Sequence, residues 1–216
     1  MKDDRAFRAL WFVALPVTIL LLQTRFIDDL DMFTQVKLGL IELAERCIIS
    51  TDLFTFTHHN QPFSPTGWLA QILFALSHRL AKWPGVQLLH VLLFALGITL
   101  SAQAALLKLS RAKISPRPFV VIASCVVALL VVYTNSGARP QSFAVFGFGL
   151  NLALLESALP FPLKAAALLT STVIWQNAHL SASIWIFTLG ILFLCRVIFR
   201  SDRTTESPTH LLLLAA

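Results

Sequence analysis

Two aspartates two positions apart, Asp29 and Asp31, follow the first apolar block of the chain. In an extended segment, positions i and i+2 face the same way, so both carboxylates could serve one cation or act as a base with a helper. Asp28 beside them reads as a solvated helix terminus. Arg139 precedes Pro140 and Gln141, and a proline-stiffened turn presents a guanidinium as a fixed fork suited to phosphate; snorkelling is its plainer use. His58 and His59 are adjacent and so point apart, which favours loop polarity over a shared metal. Asn177 and His179 lie between two apolar runs, where polar groups must find partners, either to tie helices together or to orient a substrate.

The elements that carry these groups are greasy. Of 216 residues, 56% are hydrophobic and 13% charged, with seventeen Phe, five Trp and a single Tyr, and the mean hydropathy is +0.75. A soluble domain carries about twice that share of charge, and a disordered chain lacks the apolar content. The net charge of +6 comes from bases lying between apolar blocks, with no basic stripe beside exposed aromatics, so a nucleic-acid partner is excluded. Cys125 and Cys195 sit inside apolar blocks, Cys47 has no evident mate, and no metal-ligand spacing appears.

Blocks long enough to cross a bilayer as helices occupy residues 8–27, 84–107, 117–134, 141–157, 162–176 and 180–199. Residues 209–216 read as the first two turns of a seventh, so the chain reads as cut short. The expectation is an all-α polytopic membrane protein, a single transmembrane domain over 1–216 with about six spans and the start of another. The first block lacks a small-x-small cleavage site and reads as a retained helix rather than a signal peptide. With the amino terminus inside, eleven of the seventeen bases fall on the inner side, which sets the orientation. Residues 28–83 are then external. Phe33, Val36, Leu40, Leu43 and Cys47 recur at helical spacing, 48–57 reads as an extended connection, and 66–80 reads as a second short amphipathic helix. This topology brings the acids, the His58–Asn60 segment, the turn of Asn135, Arg139 and Gln141, and the turn of Gln176, Asn177 and His179 to one face, which is a stronger site signal than any single member.

These residues resemble a known group, the GT-C class of integral membrane glycosyltransferases, within the protein mannosyltransferase and aminoarabinose transferase-like superfamily. Its members open with one span, then an acidic D-x-D or D-E motif in a large external loop with juxtamembrane helices. Asp29-Leu30-Asp31, the run Thr51-Asp52-Leu53-Phe54-Thr55-Phe56-Thr57, Trp68-Leu69-Ala70, Arg139-Pro140-Gln141-Ser142-Phe143 and Trp175-Gln176-Asn177-Ala178-His179 are similar, in that order, to motifs of a bacterial subgroup. The likeness covers roughly residues 8–199. The chain departs from the subgroup at Gln35, where His is usual, at Gly67 and Gln71, where Glu is usual, and at Leu180 and Ser181, where glycines are usual.

The resemblance implies an enzyme of the bacterial inner membrane with a cytoplasmic amino terminus. It would move a sugar from a polyprenyl-phosphate donor to a glycan, lipid or protein acceptor at the outer face. It implies a catalytic base at Asp29 or Asp31, donor phosphate binding by Arg139 and Gln141, and substrate orientation by His58, His59, Asn177 and His179. A divalent cation held by Asp29 and Asp31 is left open, since some members of the class work without one. Two other readings stand beside it. One is a non-catalytic or truncated membrane subunit binding a partner or lipid. The other is a transporter, against which the scarcity of ionisable groups inside the spans argues, His90 and Glu156 being the nearest candidates.

Overall fold

Prolines and polar turns divide the apolar runs into helices whose ends are set by local chemistry. The computed structural model describes residues 4–23, 27, 29–114, 117–132 and 137–198. In chain order these form α1 (Asp4–Ala9), a π-helical segment (Leu10–Ala14), α2 (Leu15–Gln23), α3 (Leu30–Glu45), α4 (Trp68–Arg111), α5 (Pro118–Val132), α6 (Gln141–Leu155), α7 (Phe161–Ala178) and α8 (Ala182–Ile198). The chain is all-helical, and among the described residues the only β pairing is an isolated antiparallel bridge between Thr51 and Pro62. The residues 209–216, Asp28 and Asn135 lie outside the described residues.

The π-helical turn has a cause in the sequence. Pro16 lacks an N–H, and its ring would crowd the carbonyl four residues earlier in a regular helix; the wider turn just before it relieves that conflict. A second break divides α4. Ala81 and Lys82 leave helical geometry, with φ/ψ of −142°/23° and 54°/−146°. Pro84 therefore falls in the first turn of the long arm that follows, where its missing N–H leaves no carbonyl unmatched. The turn is sharp enough that Gly85 packs directly on the Ser77 carbonyl, with no room for a Cβ. Phe33 and His78 both meet Trp83 edge to face here, at ring separations of 4.6 and 5.1 Å. The short arm of α4 thus corresponds to the amphipathic helix expected at 66–80, and the long arm to the span expected at 84–107.

Among the described residues two helical stretches are long and apolar enough to cross a membrane, Arg5–Leu22 and Trp68–Arg111, while the apolar stretches Pro118–Leu130, Gln141–Leu155 and Ala182–Cys195 are shorter. Helices α5 and α6 have 15 residues each. At that length a helix reaches about 22 Å, against a hydrocarbon core of about 30 Å. The outer surface is strongly apolar nonetheless: Phe12, Phe119 and Phe187 are each at least 70% exposed, with Leu169, Ile186 and Ile198 similarly uncovered. A soluble monomer rarely shows so much contiguous apolar surface.

The long arm of α4 is the centre of the bundle. It crosses α6 at a point where Gly97 and Gly149 place backbone on backbone, and a Cβ at either would collide with the other helix. At one end of the bundle, Ala6 and Leu10 pack with Leu106, Val121 and Cys125. Arg111 there donates to the Glu156 carboxylate at 2.5 Å and to the Glu156 carbonyl at 2.6 Å, joining the ends of α4 and α6. At the other end, Met32 and Val36 of α3 pack with Ala70, Phe74, Val86, Ala138, Phe143 and Ala178.

The stripe of α3 that is buried in the protein shares only Val36 with the apolar stripe read from the sequence. Met32, Val36 and Gly39 face the protein, while Phe33 and Cys47 are exposed. Gly39 decides this, since its bare backbone lies against the Gln71 carbonyl of α4. The segment 48–57, expected to be extended, is so in its first part, where Ser50 to Asp52 pair with residues 61–63, and turns as a tight loop from Asp52 on. Asp52 accepts N–H bonds from Phe54 and Thr55 and the Thr55 hydroxyl, at 2.7–2.9 Å, while its backbone pairs with Asn60 and Gln61.

Candidate functional site

Asp29 caps α3. Its backbone is extended, its Oδ1 accepts the Asp31 N–H at 2.9 Å, and its carbonyl accepts that of Met32. Its other carboxylate oxygen forms an ion pair with the Arg139 Nε, the aspartate side chain being 8% exposed and the arginine 47%. Arg139 is held from behind: its carbonyl accepts both the N–H and the hydroxyl of the fully buried Ser142, in the turn that starts α6. The first acid and the arginine turn, 110 positions apart in sequence, thus lock to one another.

Beside this pair lies a pocket of about 260 Å³ whose walls come from four separate segments. Asp31 and Gln35 come from the start of α3, Thr66 and Gly67 from the entrance to α4, Arg139 and Gln141 from the turn before α6, and His179 and Leu180 from the turn after α7. Gly67 sits at φ 84°, and a Cβ there would press on the Ala178 carbonyl. That left-handed conformation is natural to glycine.

His179 is placed by a chain of donors. The Trp175 indole N–H reaches the Ser181 hydroxyl at 3.0 Å, and that hydroxyl meets the His179 Nδ1 at 2.8 Å. The Ser181 backbone N–H also points at Nδ1, at 3.2 Å. Nδ1 is therefore the acceptor, and in the neutral ring the proton sits on Nε2. Burial lowers the imidazole pKa from its ordinary value, which favours this neutral form. Asn177 stands just outside the pocket, its Oδ1 accepting the Trp68 indole N–H at 2.9 Å and its amide donating to the Val173 carbonyl. It ties the first turn of α4 to the last turn of α7.

Of the residues singled out in the sequence, Asp31, Arg139, Gln141 and His179 line the pocket, and Asp29 adjoins it through Arg139. His58 and His59 do not. Both are exposed on the loop that Asp52 organises, where the Thr57 hydroxyl lies 2.9 Å from the His58 Nδ1. The same bonds, from Thr55 first and Phe54 after it, hold the Asp52 carboxyl below its ordinary pKa. Sequence reasoning misses Gln35, Thr66 and Gly67. The only sequence signal for two of them is departure from the subgroup pattern, at Gln35 and Gly67.

No protein-family model, curated protein or solved structure matches the chain. The chemistry must be read from its own side chains. The pocket offers one carboxylate not engaged in the ion pair (Asp31), a guanidinium fixed by a neighbouring acid, an amide at Gln141 and an imidazole. Among the described residues no three His, Cys, Asp or Glu are grouped to hold a metal ion. Asp29 pairs with Arg139 through one oxygen and accepts the Asp31 N–H with the other, so of the acidic pair it is Asp31 that is left to face the pocket.

Proposed function

We propose that the chain is a membrane glycosyltransferase of the GT-C type that moves a sugar from a polyprenyl-phosphate donor to an acceptor hydroxyl at the outer membrane face. In this reading the helices cross the membrane six times from a cytoplasmic amino terminus in a bacterial inner membrane. The observation that carries it is the convergence of Asp31, Arg139, Gln141 and His179 on one pocket at the bundle end opposite the Arg111–Glu156 pair. A lipid donor is confined to the bilayer, so a pocket between juxtamembrane helices is where carrier and acceptor can meet.

The roles follow from what each group is free to do. Asp31 takes the proton of the acceptor hydroxyl, whose oxygen attacks the anomeric carbon. The bond from that carbon to the phosphate oxygen breaks, its electron pair staying on the phosphate, where the Arg139 guanidinium meets the growing charge. The sugar is now bonded to the acceptor, the proton is on Asp31, and the polyprenyl phosphate departs. Asp29 is a positioning residue that aims Arg139. His179, through its Nε2–H, and Gln141 supply donors to sugar or phosphate oxygens.

A second reading, a non-catalytic membrane subunit, draws support from the same geometry. Asp29 with Arg139, Asn177 with Trp68, and His179 with Ser181 and Trp175 are partners inside the chain, as helix ties would be. The deciding experiment presents membranes containing the chain with labelled polyprenyl-phosphate hexose and pentose donors. Transfer that is lost in Asp31→Asn supports the enzyme; transfer retained by Asp31→Asn removes the assigned base. No transfer by the wild type supports the subunit.

A further inference from the structure

A second cavity, of about 280 Å³, lies at the far end of α3, lined by Glu42, Leu43, Arg46, Cys47, Ile48 and, from the short arm of α4, Ile72. It shares no lining residue with the pocket described above. Glu42 is 3% exposed. One of its oxygens accepts the Ile49 N–H at 3.3 Å, and the other is fully buried with no hydrogen-bond partner. A buried carboxylate oxygen left so is costly, and it calls for a donor or a cation. Glu42 and Arg46 are four residues apart, a spacing at which opposite charges on a helix ordinarily pair. Here they do not form an ion pair. Arg46 is the residue where the helix ends, in a left-handed conformation at φ 54°, which carries it out of helical register.

An acid and a base thus border one largely apolar cavity without neutralising each other. We propose that this cavity binds a zwitterionic ligand bearing a primary ammonium and a phosphate, the headgroup chemistry of an ethanolamine phospholipid, with the ammonium on Glu42 and the phosphate on Arg46. The ammonium supplies the N–H donors that the orphaned oxygen lacks, and Leu43, Ile48 and Ile72 cover its methylene carbons. Burial also raises the Glu42 carboxyl above its ordinary pKa, the Ile49 N–H only partly opposing this, and a bound ammonium would counter that rise. The inference is independent of the glycosyltransferase reading.

The test purifies the whole chain in detergent and adds phosphatidylethanolamine or phosphatidylcholine, with retained lipid counted by native mass spectrometry. Phosphatidylcholine has the same charges but no N–H to give Glu42. The expected result is a preference of about tenfold for the ethanolamine lipid, the size of one charge-assisted hydrogen bond. That preference is lost in Glu42→Gln, while Arg46→Gln weakens retention of both lipids. Soluble phosphoethanolamine separates the sources: displacement of the lipid by it identifies the headgroup alone as ligand, and displacement only by diacyl lipid identifies the membrane lipid. Equal retention of the two lipids by the wild type would overturn the proposal, as would an unchanged preference in Glu42→Gln. If Glu42→Gln does not fold, retention unaltered by Arg46→Gln overturns it instead.

Discussion

The two ends of the bundle each carry an arginine–carboxylate pair, and the pairs do different work. At one end Arg111 grips both the carboxylate and the backbone carbonyl of Glu156, joining the ends of α4 and α6. At the other, Arg139 meets Asp29 through Nε, and its residue also lines a polar pocket beside Asp31. The first pair closes a helix end. The second borders a polar pocket. A salt bridge is therefore informative less by its existence than by what lies beside its cation.

The largest expected effect, under the proposed function, is at the acid beside the second pair. Asp31→Asn should lower sugar transfer by about 100- to 10,000-fold, the usual worth of a general base, with an unchanged melting temperature. Arg139→Ala should lower transfer by about 100- to 1000-fold and also cost on the order of 1–3 kcal/mol of stability, because it strands a buried carboxylate that a half-exposed partner had answered. Transfer assays with thermal melts of the same preparations check both. If Arg139→Ala lost stability and no donor binding, the contrast between the two ends would collapse.

The next effect is in pH. Because burial depresses the folded-state pKa of His179, its neutral form stabilises the fold above the ordinary value of 6.5, and that contribution is lost as pH falls through the folded value. Melting temperatures taken from about pH 7.5 to 5 should fall more steeply for the wild type than for His179→Gln. At the opposite end, the Arg111 side chain is 56% exposed. Arg111→Ala should therefore cost under about 1 kcal/mol and leave transfer untouched. The smallest effect belongs to His58→Ala with His59→Ala, for which melting temperature and transfer should both match the wild type.

Much of this is legible in the chain itself, for physical reasons that differ by element. The helix cores show because apolar runs and prolines act locally, as Pro16 and Pro84 do. The gathering of Asp31, Arg139, Gln141 and His179 is legible because polar residues collect at the ends of apolar runs, and packing successive helices brings alternate ends together. The buried stripe of α3 is not, because that helix has apolar residues on more than one face, and the contact of Gly39 with Gln71 selects among them. His58 and His59 mislead for a similar reason. Their position depends on Asp52 closing its loop upon itself, and the hydrogen bonds that do so leave no periodic trace.

The meeting of Gly97 with Gly149 bears on how a bulky guest could gain admission. Two backbones in direct contact have no side chains to rearrange between them, so the walls given by α4 and α6 cannot part without breaking the centre of the molecule. Widening then falls to the turn at the exposed Leu180, which lies away from that seam. The molecule has a fixed jaw and a yielding one.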